Sequence, residues 1–107
     1  MRAFQQQGNT VTFTANTSAP TPVQCAFFTQ QLSACEVRVI NSGSNMVFLG
    51  VGNSAAEATA KAIVGAGPAI PILPGTDEIL SFNSNSYFTG ITASGTSVLY
   101  MTPGSGL

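Results

Sequence analysis

The chain has no histidine and no tryptophan, and of its 107 residues only three are basic and four acidic. Without histidine it lacks the commonest general base and metal ligand. Lys61 is the one lysine, and a serine nucleophile relying on it would need it buried. Asp77 and Glu78 are neighbours in a strand-like run, so their carboxylates point to opposite faces and cannot flank one bond. The glycines of Gly50-Val51-Gly52 run into Asn53-Ser54, without the further glycine or the Lys-Ser/Thr pair of a phosphate loop. Two cysteines with no histidine fall short of a zinc ligand set. Together these absences predict a protein that is not an enzyme and holds no metal and no cofactor.

The scarcity of charge also restricts partners. Arg2, Arg38 and Lys61 are scattered, whereas phosphate backbones are bound by clustered Lys and Arg, so nucleic acid is not expected as a partner. Mean hydropathy is positive, yet the longest apolar candidate, 62–73, carries Gly65, Gly67, Pro68 and Pro71 and cannot span a membrane as a helix. The opening MRAFQQQGNT has no apolar h-region, so no signal peptide is expected and the chain is read as made and folded in a cytoplasm. Ser, Thr, Asn and Gln make up about a third of the residues. They predict a neutral, hydrogen-bonding surface with a net charge of −1, little self-repulsion and a lean towards assembly.

What is present reads as strands. The stretch 35–52, CEVRVINSGSNMVFLGVG, alternates with period two on both sides of a polar link at 41–45 and predicts a β-hairpin. Val47, Leu49 and Val51 share one face of its second strand; Met46, Phe48 and Gly50 share the other. Asn9–Ala15 is the cleanest alternating run, and Val23–Phe28 follows after a Pro20/Pro22 loop. Cys25 and Cys35 lie ten positions apart. A disulfide would close a short loop there, but a reducing cytosol favours two buried thiols acting as packing. The 53–65 segment, Ala-rich with Glu57 and Lys61 in i, i+4 order, is expected as a surface excursion of at most one helical turn. Ala66–Pro74 suits an edge strand or a crossover. Strands are then expected at Asp77–Phe82, Ser86–Thr92 and Thr96–Thr102, separated by turns at 83–85 and 93–95.

Seven or eight short strands without βαβ alternation predict an all-β, antiparallel β-sandwich, jelly-roll-like, with an immunoglobulin-like Greek key as the alternative. Residues 9–102 form the domain, 1–8 an N-terminal arm and 103–107 a tail that cannot continue a sheet. Val11, Phe13, Val37, Val39, Val47, Leu49, Leu80, Phe82, Val98 and Tyr100 are the expected core. Glu36 and Arg38 share the outer face of their strand as an exposed pair. Phe4, Ile40, Met46 and Phe48 are the outward apolar residues expected at an interface.

Three segments, VRVINSGSNMVFLGVG at 37–52, IPILPGTDEILSF at 70–82 and ITASGTSVLYMTPGSGL at 91–107, resemble small tailed-bacteriophage proteins of the capsid cement or decoration type. The resemblance implies a β-sandwich head protein of short-tailed phages. It would sit on the capsid surface of the virion as a dimer or trimer, its partners being itself and the major capsid protein. A tail-fibre or baseplate β-module binding a host glycan or another tail protein is the alternative, and a plain soluble β-module ranks last.

Overall fold

A computed structural model describes residues 4–25, 35–65, 67–83 and 86–105. Its elements in chain order are β1 (Gln5–Gln6), β2 (Val11–Ala15), β3 (Val23–Gln24), β4 (Cys35–Asn41), β5 (Val47–Gly52), α1 (Ala55–Lys61), β6 (Ile70–Ile72), β7 (Asp77–Phe82), β8 (Tyr87–Ile91) and β9 (Ser97–Ser105). The expected run of β3 to Phe28, residues 84 and 85 of the predicted turn, the first three residues of the arm and the end of the tail at Leu107 lie outside the described residues.

The antiparallel pairings are nested. β5 pairs with β6, β4 with β7, β3 with β8 and β2 with β9. The chain therefore runs out along β2–β5 and back along β6–β9 as one long hairpin. Two further pairings, β4 with β9 and β5 with β8, roll that hairpin up. The result is two antiparallel sheets, one in the order β2-β9-β4-β7 with β1 added beside β9, the other in the order β3-β8-β5-β6. This is the jelly roll and not the immunoglobulin-like alternative.

The roll accounts for a difference from the sequence reading. β4 and β5 are not a hairpin: they pair in different sheets, and 41–45 is the corner between them. Asn41 makes that corner. It is fully buried, and its Nδ2 donates to the carbonyls of Asn45 (2.9 Å) and Ile72 (3.1 Å) while its Oδ1 accepts from Gly43 N (3.1 Å). Ser97 holds the corner down, its hydroxyl accepting from Asn45 N and donating to Asn45 O. A side chain on Gly43 would collide with the backbone of Ser97, 2.7 Å from its Cα.

Between the sheets lie Phe13 and Ala15 of β2, Val37 and Val39 of β4, and Leu99 and Met101 of β9. They face Val47 and Leu49 of β5, Ile72 of β6 and Phe88 of β8. Phe82 meets Phe88 edge-on, with ring centroids 4.9 Å apart, a favourable aromatic geometry. Of the expected core, Phe13, Val37, Val39, Val47 and Leu49 are buried, and Val11, Leu80 and Phe82 pack partly against it. β9 has the opposite phase from the one expected: Leu99 and Met101 point inward, Val98 is half-buried and Tyr100 is 40% exposed. A shift of one residue exchanges the two faces of a strand.

β9 also runs on through Pro103 to Ser105, where the sequence suggested a loose tail. A strand residue's N–H and C=O point the same way, and the Pro103 carbonyl accepts from Gln7 N (2.8 Å). The missing N–H therefore faces the β1 side, and the ladder to β4 loses no donor. On that side Gln5 and Gln6 pair with Ser105 and Gly104, so this part of the arm is tied to its own chain.

The 53–65 segment forms two turns of helix rather than an excursion with one. Ser54 caps it, its hydroxyl accepting from Glu57 N (3.2 Å), while the Glu57 carboxylate accepts from Asn53 N (2.6 Å). The arrangement resembles a capping box, except that the carboxylate reaches the residue before the cap, and it uses the carboxylate expected to face Lys61. A helix this short is stable only when packed, and Ala58 and Ala62 are buried against β5.

Candidate interaction surfaces

Each sheet has an outer face, and the two are built differently. On the β4–β9 side, alternation turns Thr12 and Thr14 of β2, Arg38 and Ile40 of β4, and Tyr100 and Thr102 of β9 outward. The register places Ile40 between Tyr100 and Asp77, and Arg38 between Thr102 and Ile79. Arg38 therefore reaches Asp77 on the diagonal. Its Nη2 and Nε donate to one Asp77 oxygen at 2.5 and 3.2 Å, so the guanidinium expected to pair with Glu36 is committed across strands. Both side chains of this pair are about half exposed. The bond to Asp77, and then its charge, hold the Arg38 pKa above its ordinary value.

A groove of about 450 Å³ runs along this face, lined by Phe4, Gln6, Arg38, Ile40, Tyr100 and Thr102. The Phe4 ring lies over Gly104: a Cβ there would sit 2.5 Å from its Cζ. Thr10 and Thr102 share a hydroxyl–hydroxyl bond of 2.7 Å across the floor, and Gln6 Nε2 is held by the carbonyl of Gly8 (2.7 Å).

On the β5–β8 side, Phe48, Gly50 and Gly52 face outward. A side chain on Gly50 would strike Ala58 O and come within 2.7 Å of Ala62 N; one on Gly52 would meet Glu57 Cβ at 2.6 Å. The two glycines are the shelf on which α1 lies. Beyond the helix, Ile63 (44%) and Val64 (43%) are exposed, as are Met46 (37%) and Leu73 (55%), one position past the registered pair Val47–Ile72. A second cavity of about 420 Å³ opens between α1 and the end of β7. Three of its polar residues bond one another: Asn83 Nδ2 donates to Asn53 Oδ1 (3.3 Å), and Asn53 N to Glu57.

The four residues expected at an interface do not form one patch. Phe4 and Ile40 come together in the groove, whereas Met46 and Phe48 belong to the opposite face, because 35–52 bends between the sheets. The sequence reading missed Tyr100 and Leu73 as surface groups and Asp77 as the partner of Arg38. For Tyr100 a signal was present: with Tyr100 and Thr102 outward, two hydroxyls meet water and the purely apolar Leu99 and Met101 go inside.

Cys25 is a buried free thiol at the end of β3, and burial pushes its pKa from 9.0 up to about 12; the Cys35 side chain lies outside the described set. Among the described residues no group of three or more His, Cys, Asp or Glu is placed to hold a metal ion, and no helix is long and apolar enough to cross a membrane. Comparison with protein families, characterised proteins and solved structures finds no match to this chain.

Proposed function

We propose that the protein is a structural virion protein that decorates and stabilises the outer surface of a phage capsid as a homo-oligomer, without catalysing a reaction. The observation that carries this reading is the exposure of four large apolar residues, Met46 and Leu73 beside the Val47–Ile72 pair and Ile63 and Val64 after the helix, on a jelly roll. Exposed apolar groups mark contact surfaces where they adjoin, as Met46 and Leu73 do, and jelly rolls serve as viral capsid and lectin domains. The resemblance of the 37–52, 70–82 and 91–107 segments to phage decoration proteins points to the shell as the partner. β6 and β7 are edge strands, which offer backbone groups to a neighbouring chain. With so few charges, association rests on hydrogen bonds and buried apolar area, and many weak contacts add up around a closed shell.

The test compares particles assembled with and without the protein. Complete particles are expected to survive heating or osmotic shock at which deficient ones release their contents, and the binding is expected to change little with salt. Equal survival, or recovery of the protein only with tails, overturns the proposal. In solution Leu73→Lys is expected to shift the purified protein from oligomer to monomer in sedimentation velocity.

A further inference from the structure

We propose that the groove on the outer face of the β4–β9 sheet is a binding site for a neutral saccharide. This inference is independent of the shell, since it concerns the outer face of the other sheet. Its volume, about 450 Å³, lies in the range of small-molecule sites. Tyr100, 40% exposed at the centre of the sheet, and Phe4, laid over Gly104, are aromatic surfaces four residues apart along β9. Four residues of strand span about 13 Å, the reach of two linked sugar rings. Ile40, in register with Tyr100, continues the apolar floor on which the C–H face of a pyranose rests.

The rim is hydrogen-bonding and electrically balanced. Arg38 lines the groove, and its Nε and Nη2 are both bonded to one oxygen of Asp77 just beyond it, so the one cation of the groove is charge-balanced. With its charge balanced by Asp77, Arg38 offers an anion less net attraction than an unpaired guanidinium would, while its remaining N–H groups can still donate to the hydroxyl oxygens of a polyol. Thr10 and Thr102 share a single bond, and since each hydroxyl owns a proton, one donor is left for a ligand. Such an arrangement of paired charge, hydroxyls and amide around two aromatic faces selects an uncharged, hydroxyl-rich ligand over an anion.

The test uses the full chain labelled with ¹⁵N and four neutral probes: cellobiose, maltose, lactose and N,N′-diacetylchitobiose. At least one is expected to shift the backbone amides of Gln6, Arg38, Ile40, Tyr100 and Thr102 with millimolar affinity. Tyr100→Ala should weaken that binding at least about tenfold, and Tyr100→Phe, which keeps the ring, should leave it within about threefold. If Tyr100→Ala loses the dispersed spectrum of the folded chain, Phe4→Ala is measured in its place with the same expectation. The proposal is overturned if no probe moves these amides at about 20 mM, if the shifts fall elsewhere, or if inorganic phosphate or sialyllactose binds more tightly than every neutral probe. It is equally overturned if the same amides broaden with protein concentration in the absence of sugar, which would make this face a self-contact.

Discussion

The two outer faces of the roll start from the same period-two alternation and end in opposite states. On the β4–β9 side the outward positions carry Thr12, Thr14, Arg38, Ile40, Tyr100 and Thr102, and the face stays open as a groove with an ion pair at its rim. On the β5–β8 side the outward positions include Gly50 and Gly52, and the face is covered by α1. Hydropathy does not separate the two cases, since Ile40 and Phe48 are alike in that respect. Bulk does. A helix can lie on a sheet where the outward residue has no side chain, and Ala58 and Ala62 bring the helical backbone within contact of Gly50. Branched and long side chains on the other sheet leave no such seat.

Substitutions can break or sharpen this contrast. Val39→Asp acts on the layer that both faces share: Val39 is fully buried, and an unpaired carboxylate there costs several kcal/mol against a marginal total. No folded protein is expected, and circular dichroism should show loss of the β spectrum. Gly50→Val acts on the covered face alone. It removes the seat of α1 and is expected to destabilise by about 2 kcal/mol through overpacking. In hydrogen exchange the Ala58 and Ala62 amides should lose protection first, while β4 and β9 keep theirs.

A third probe reports on the interior. The folded state keeps Cys25 protonated up to about pH 12, whereas the unfolded thiol ionises near its ordinary value. The unfolded chain therefore binds fewer protons between these limits, and stability falls as pH rises through that window. The slope is about 1 kcal/mol per pH unit, with the full contribution present below it. Denaturant melts should show this decline, and Cys25→Ala should flatten it. The smallest effect belongs to the open face. Asp77→Asn removes one partner of a half-exposed ion pair, a kind of interaction that adds little to stability, and thermal melts are expected to coincide with those of the parent.

Much of this was legible in the sequence, for identifiable reasons. A strand such as Val11–Ala15 shows because Val11, Phe13 and Ala15 share one face and Thr12 and Thr14 the other. β9 was read in the wrong phase because Val98, Leu99, Tyr100 and Met101 are all large and apolar, so hydropathy alone gave no phase. The corner at 41–45 has the same composition as a hairpin turn; only its remote partners, Ile72 for Asn41 and Ser97 for Asn45, distinguish them. α1 exceeds the single turn its sequence suggests because, beyond its own cap, it is seated on a glycine shelf belonging to another element. The groove was least legible of all. It depends on Phe4, Arg38 and Tyr100 being brought together by three strands drawn from the two ends and the middle of the chain.

The nesting of the strand pairs also sets an order of assembly. Leu49 with Ile70 closes a short loop, Val37 with Leu80 a longer one, and Val11 with Met101 nearly the whole chain. Closing a loop costs entropy that grows with its length, but each inner pair, once made, shortens the free chain that the next must close. Contacts this remote in sequence belong to slowly folding topologies. The closures are therefore shortest when made as a zipper from β5–β6 outward, with β1, β2 and the end of β9 joined last. The groove, carried by those last-joined strands, is the part of the surface that exists only once the roll is complete.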